Sequence, residues 1–60
     1  MTITTASAAI GRTVVYLPSR RFGPLESGVI TSTNDTFVFV RYGANQTSKA
    51  TRPEDLEFET

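Results

Sequence analysis

The fold of this chain is decided by residues 28–42, which read GVITSTNDTFVFVRY. β-Branched and aromatic side chains, which favour strands, lie on both sides of a polar centre. That centre contains Asn34 and Asp35, residue types that adopt positive φ in tight turns or hydrogen-bond to their own backbone. Ile30 and Val38 flank it. The stretch therefore predicts a β-hairpin.

One strand is predicted before the hairpin and two are predicted after it. Residues 13–17 are rich in β-branched side chains and end at Pro18, which has no backbone N–H to donate. Residues 47–51 are polar with a charge in the middle, as edge strands often are. Residues 56–59 alternate apolar and acidic side chains, which is typical of a half-buried strand.

The connections between these five strands favour a barrel. Residues 18–26 contain two prolines and a glycine and predict a long irregular loop. Pro53 suits the first position of a helical turn over residues 52–55. Closing the sheet removes the unpaired edges that make small β proteins prone to aggregate. We therefore expect residues 11–60 to form an all-β domain, a small five-stranded barrel with a single helical turn before the last strand.

Alternation along the strands assigns the apolar side chains to two faces. An inward set is expected to fill the barrel: Val14, Tyr16, Ile30, Val38, Val40, Tyr42, Leu56 and Phe58. An outward set remains: Val15, Leu17, Val29, Phe37 and Phe39. The outward set forms a larger apolar patch than a small protein usually exposes to water. It requires a cover, which is either a partner or residues 1–10 folded back through Ile3 and Ile10.

Residues 1–10 are small and polar, and we expect them to form a flexible or extended arm. They show no apolar stripe at the 3.6-residue spacing of a helix. Ala6-Ser7-Ala8 mimics a signal-peptide cleavage site, but the basic and continuous apolar regions of a signal peptide are missing. No apolar run approaches the ~20 residues that span a bilayer. The expectation is a cytoplasmic protein that does not enter a membrane.

The composition excludes several kinds of chemistry. Cysteine, histidine and tryptophan are absent, which removes disulfides, zinc sites built from Cys and His, and Cys-His or Ser-His-Asp catalysis. The four glycines form neither a dinucleotide-binding nor a phosphate-binding motif. The acids near the C-terminus lack the spacing of a calcium loop and instead suit a helix start and a solvated strand: Glu54, Asp55, Glu57 and Glu59. We expect no enzyme, no cofactor and no metal.

Several blocks of the sequence resemble known proteins. The patterns Gly11-x-x-Val14-x-Tyr16, Gly28-x-Ile30 and Val38-x-Val40-x-Tyr42 are similar to SH3-like barrels of the Tudor and KOW type. Residues 26–35, 38–42 and 50–56 are similar to small uncharacterised proteins of tailed phages and prophages. The resemblance covers residues 11–58. It implies an SH3-like barrel, encoded by a phage and acting in the bacterial host cytoplasm, but no particular activity, because such barrels bind many unrelated partners.

The net charge of zero hides an asymmetry, because four of the six acids lie after residue 53 and all six bases lie before it. The basic side chains and nearby aromatic rings could contact the phosphates of a nucleic acid and stack on its nucleobases. Nucleic-acid-binding domains usually show a clear basic excess. A nucleic-acid-binding accessory protein is therefore our alternative hypothesis, and a structural component of the virion is a third, weaker one.

The main hypothesis is a non-enzymatic binding module that engages a protein, either a host factor or a second copy of itself. The predicted partner-binding residues are Arg20, Arg21, Phe22, Phe37, Phe39 and Arg41. Phe39 would be the apolar anchor and the arginines the polar contacts. A Tudor-type aromatic cage of Tyr16, Phe22 and Tyr42 is disfavoured, because both tyrosines are expected to point inward.

Overall fold

The computed structural model describes residues 1–17 and 26–59, and the described part is one antiparallel sheet with little helix. Its elements are α1 (Ile3–Ser7), β1 (Thr13–Tyr16), β2 (Glu26–Thr33), β3 (Val38–Tyr42), β4 (Lys49–Thr51), a 3₁₀ turn (Pro53–Asp55) and β5 (Leu56–Phe58). The strands lie in the order β4-β3-β2-β1-β5. The prediction of an all-β fold with a helical turn before the last strand is confirmed.

The sheet is open in its hydrogen bonding. β4 and β5 are its two edges, and no backbone ladder joins them among the described residues. Closure of the predicted barrel is therefore not confirmed. The strand limits also differ from the prediction. β2 begins at Glu26, before the predicted hairpin of residues 28–42, and β4 begins at Lys49, later than the predicted start at residue 47. β3 begins at Val38.

The core is built from the inward side chains that alternation predicts. Five of them are at most 1% exposed: Val14, Ile30, Val38, Val40 and Leu56. Tyr42 is 5% exposed, and the half-buried Tyr16 and Phe58 pack against the cluster. This assignment follows from the pleat, which sends successive side chains to opposite faces.

The N-terminal segment corrects the sequence prediction, because it contains a helix and packs against the inward side of the sheet. The Thr2 hydroxyl accepts a hydrogen bond from the Thr5 amide and caps α1. Ala6 and Ala9 are 0% and 5% exposed and belong to the core cluster, with Ile3 packed against it. A helix of five residues is marginal alone; here the small alanine side chains allow it to lie close to the sheet.

The hairpin of β2 and β3 is confirmed, and Asn34 closes it without positive φ. The Asn34 side-chain oxygen accepts hydrogen bonds from the amides of Thr36 (2.8 Å) and Phe37 (2.6 Å). The register shifts between Ile30 and Ser32, which makes Thr31 the extra residue of a β-bulge. Ile30 pairs with Val40 on one side of the bulge, and Thr33 pairs with Val38 on the other.

Gly28 is buried because the facing strand lies directly against its backbone. It pairs with Tyr42, and a Cβ atom at this position would lie 2.6 Å from Val40 Cγ1 and 2.8 Å from the Arg41 carbonyl oxygen. Glycine at this point of a central strand thus permits a close cross-strand approach.

The two edges of the sheet are connected by only four residues, 52–55. Around this link the Leu17 amide donates to the Asp55 carbonyl at 2.6 Å. The Met1 ammonium group donates to the carbonyl oxygens of Pro53 (2.8 Å) and Leu56 (3.3 Å). The N-terminal segment therefore also supports the turn between β4 and β5.

Candidate functional site

Three of the six predicted partner-binding residues fall on the described part of the chain. Phe39 and Arg41 lie on β3 and point away from the core, and Phe37 precedes the strand. Arg20, Arg21 and Phe22 lie outside the described residues. The side of the sheet opposite the core, which we call the outer face, includes Thr13, Val15, Ser27, Val29, Phe39, Arg41, Ala50 and Glu57.

The outer apolar side chains are less exposed than the sequence suggests. Val15, Leu17, Val29, Phe37 and Phe39 are all half-buried, because cross-strand neighbours flank them. Val29, for example, lies between Thr13 and Arg41, and Phe39 lies between Ser32 and Ala50. Among the described residues, the exposed large apolar side chain is Ile10, at 53%.

The N-terminal segment does not cover the outward apolar side chains, which was one of the two predicted alternatives. Ala6, Ala9, Met1 and Ile3 pack on the inward cluster, on the opposite side of the sheet from Phe39. The outer face therefore keeps half-buried apolar side chains beside a charged one. Arg41 is exposed and pairs across the sheet with Val29.

A depression lies next to Arg41, at the turn after β3. Its volume is about 320 Å³, and it is lined by Arg41, Gly43, Ala44, Asn45 and Gln46. No lining residue is acidic. The sequence signal that could have identified it is Gly43, two residues after the outward Arg41.

The shape of this turn follows from Gly43, whose φ is 55°. The Asn45 amide donates to the Tyr42 carbonyl oxygen at 3.1 Å, so that Gly43 and Ala44 are the central residues of a β-turn. Positive φ at the first central residue alone is typical of a type II′ turn, which matches the twist of paired strands. The turn thus holds the depression beside the end of β3.

The basic residues that the structure describes differ in the groups that they contact. The Arg12 guanidinium lies over the Phe58 ring, with 4.2 Å from Cζ to the ring centroid. Arg52 lies 3.9 Å from a Glu54 carboxylate oxygen and 3.5 Å from an Asp55 carboxylate oxygen. Within residues 1–17 and 26–59, Arg41 makes no ion pair.

The two tyrosines of the cage hypothesis pack edge to face, with ring centroids 6.1 Å apart. Tyr42 is buried, and its hydroxyl shares a 2.8 Å hydrogen bond with the Thr51 hydroxyl. Burial raises the pKa of the Tyr42 hydroxyl above its usual value, and the Thr51 hydrogen bond partly opposes this rise. Tyr42 is thus a core residue, and Phe22, the third ring of the hypothetical cage, lies outside the described residues.

The C-terminal acids adopt the structural roles that the sequence favours. Glu54 and Asp55 lie in the first turn of the 3₁₀ segment and contact Arg52. The Glu59 carboxylate accepts a 3.2 Å hydrogen bond from the Ser27 hydroxyl on the outer face. Across the described part of the chain, no three Asp or Glu side chains are grouped as metal ligands would be.

Comparisons with protein-family models, curated proteins and solved structures find no match for this chain. None of the helical segments that the structure describes has the length and apolar character of a membrane span. The candidate site is therefore defined by geometry alone: the outer face around Val29, Phe39 and Arg41, together with the depression at residues 43–46.

Proposed function

We propose that this chain is a non-enzymatic binding module, a phage-encoded accessory protein that engages a protein partner in the bacterial host cytoplasm. The observation that carries the proposal is the pairing on the outer face of an exposed arginine, Arg41, with half-buried apolar neighbours, Val29 and Phe39. Protein interfaces typically combine apolar anchors with arginine in this way.

The proposal includes an SH3-like barrel, and the length of the link between β4 and β5 supports it. In a flat five-stranded sheet the two edge strands would lie about 19 Å apart, at about 4.8 Å per strand. The link from Thr51 to Leu56 contains a 3₁₀ turn, which rises about 2 Å per residue. Its total reach is about 13 Å, since extended residues add about 3.3 Å each. A link of this length supports a strongly curled sheet whose edges approach each other.

The phage origin rests on the sequence resemblance of residues 26–35, 38–42 and 50–56. The structure gives these blocks roles that explain their composition. The first forms β2 and the hairpin turn, the second forms β3, and the third contains the link between the sheet edges. A fold of this kind serves many functions, so the function is inferred from the surface.

A protein partner is favoured over nucleic acid because two of the described basic side chains are already engaged by other residues of the chain. Arg12 is held over Phe58, and Arg52 contacts Glu54 and Asp55. Glu59 lies on the outer face through its bond to Ser27. A surface that mixes both charge signs around an apolar centre suits a protein better than a uniformly negative phosphate backbone.

The test is affinity capture from a bacterial host lysate combined with light scattering of the purified chain. Three proteins are compared: the wild type, Arg41→Gln, and the control Lys49→Gln, which removes an exposed charge from the edge strand β4. We expect a partner that the wild type and the Lys49 variant retain and that the Arg41 variant loses. Thermal melting of all three proteins establishes that they remain folded.

The proposal fails in either of two ways. A wild-type chain that is monomeric and captures no protein is not a protein-binding module. A partner retained equally by the Arg41 variant binds elsewhere on the surface. Binding of a short oligothymidylate that weakens steeply with salt would instead support the nucleic-acid hypothesis.

A further inference from the structure

The depression beside Arg41 has the chemistry of an oxyanion site. Its wall carries one guanidinium group, its other lining residues are uncharged, and two of them, Asn45 and Gln46, bear side-chain amides. Guanidinium groups bind carboxylates and phosphates through two parallel N–H···O hydrogen bonds. The lining thus offers donors and a positive charge with no competing acid.

The backbone of the turn adds further donors. The amides of Gly43 and Asn45 donate to the carbonyl oxygens of Ser27 and Tyr42. Hydrogen bonds among the described residues leave the amides of Ala44 and Gln46, which alternate with them, without a backbone acceptor. The two amides are separate donors rather than a run of successive N–H groups, because the Asn45 amide between them is bonded to Tyr42.

Arg41 stays available to such an anion because of its place in the sheet. Its cross-strand neighbour is Val29, and the outer-face acids lie on the β5 side of the sheet, where Glu57 pairs with Val15 and Glu59 is bonded to Ser27. The half-buried Val29 and Phe39 share the outer face with Arg41, Val29 as its cross-strand partner and Phe39 two residues before it on β3. A ligand that places an oxyanion beside Arg41 would therefore fit this surface best if it also carries an apolar group next to the oxyanion.

We propose that the depression formed by Arg41 and residues 43–46 binds a carboxylate of a partner protein, from an acidic side chain that is adjacent in its sequence to an apolar one. This inference rests on the proposed function and specifies the chemistry of its partner. The apolar surface beside Arg41 favours a protein carboxylate over a nucleic-acid phosphate.

The experiment measures backbone and Arg41 side-chain N–H signals by NMR while sodium acetate, or in a second arm inorganic phosphate, is added at constant ionic strength. Acetate is expected to shift the signals of Ala44, Gln46 and the Arg41 side chain together. The shifts disappear in Arg41→Gln and persist in Lys49→Gln. The proposed site is wrong if acetate shifts the side-chain signals of Arg41 and Lys49 equally. It is also wrong if acetate shifts the Ala44 and Gln46 signals of the Arg41→Gln variant as much as those of the wild type.

A second measurement distinguishes the macromolecular source of the oxyanion. Fluorescent hexaglutamate carrying a terminal leucine is compared with a short oligothymidylate by anisotropy. We expect the peptide to bind the wild type, and Arg41→Gln to weaken it about tenfold, as expected for the loss of a charged hydrogen-bonding group. Tighter binding of the oligothymidylate overturns the proposal in favour of nucleic acid. Dimerisation that depends on the chain's own acidic side chains overturns it in favour of a second copy.

These outcomes separate the inference from the proposed function. If the peptide binds through Arg41 but no protein is captured from lysate, the oxyanion site stands and the proposed function fails. If a captured partner binds Arg41→Gln as well as the wild type, and acetate leaves the NMR signals of Ala44 and Gln46 unchanged, the carboxylate site is wrong even though a protein partner exists.

Discussion

Replacing Gly28 with alanine tests the close cross-strand approach of β2 and β3 at this position. The added methyl group would lie 2.6 Å from Val40 Cγ1, 2.8 Å from the Arg41 carbonyl oxygen and 2.9 Å from Tyr42 Cδ1. All three distances are shorter than van der Waals contact. The carbonyl belongs to a strand paired on both sides, and Tyr42 is fixed by its bond to Thr51. The methyl group therefore forces β2 and β3 apart.

The expected cost follows from the behaviour of overpacked cores. An extra methylene in a well-packed interior costs about 1–3 kcal/mol, and we expect Gly28→Ala to lie near the middle of this range. A domain of this size usually has only about 3–5 kcal/mol of stability. At about 5 °C per kcal/mol for a small domain, the melting temperature should fall by about 10 °C.

The assay is a double-mutant cycle followed by circular dichroism in thermal and urea unfolding. Val40→Ala alone should cost about 2 kcal/mol, because it leaves a cavity at a fully buried site. In the double variant the cavity accepts part of the new methyl group, so its cost should be about 1 kcal/mol less than the sum. Ser27→Ala, at the exposed neighbouring position, is the control and should change stability by about 0.5 kcal/mol or less.

Two results would refute this reasoning. An unchanged melting curve for Gly28→Ala would show that the strands are not as close as described. Strict additivity in the cycle would show that Val40 is not the group that the methyl meets.

Three further predictions concern the hairpin, the buried tyrosine and the N-terminal segment. Asn34→Ala should lower stability by about 1 kcal/mol, since it removes the acceptor for two amides, whereas Asp35→Ala should be nearly neutral; equal effects in urea unfolding would contradict the role of Asn34. The pKa of Tyr42 is higher in the folded chain than its unfolded value of 10.0, so its contribution is complete below pH 10.0 and is lost as the pH rises through the folded value. The melting temperature should therefore fall above about pH 10, and less so in Tyr42→Phe; identical pH profiles would argue against burial of the hydroxyl. Deleting residues 2–9 should strongly destabilise the sheet, because it removes two buried alanines from the core; a fully cooperative melt at the wild-type temperature would show that α1 does not support the fold.

The strands were predictable because their signals are local. β-Branched side chains, alternation and turn residues identify the hairpin, and the pleat then assigns Val14, Ile30 and Val40 to the core. The bulge at Thr31 was not predicted. It depends on how β2 and β3 align and on the Thr31 hydroxyl, which contacts the Phe39 carbonyl oxygen and the Ser48 hydroxyl across the sheet.

The helix α1 was missed because its buried face is made of small side chains. Ile3, Ala6 and Ala9 recur every three residues, and Thr2 is a good cap, but alanine gives little apolar signal. Its burial depends on a sheet that forms far along the chain. The depression at residues 43–46 was missed for a similar reason, because a polar turn becomes a candidate site only when Arg41 points to the same side.

The strand order β4-β3-β2-β1-β5 also has a consequence for folding. β2, β3 and β4 each pair with a strand adjacent in sequence, so these pairs close short loops, whereas β5 must find β1 from forty or more residues away. During synthesis β1 therefore leaves the ribosome with one edge unpaired until residues 56–58 follow. That edge carries Thr13-Val14-Val15-Tyr16, a sequence rich in β-forming side chains. A chain that stalls before residue 56 would expose this strand, and self-association of nascent chains is the expected hazard.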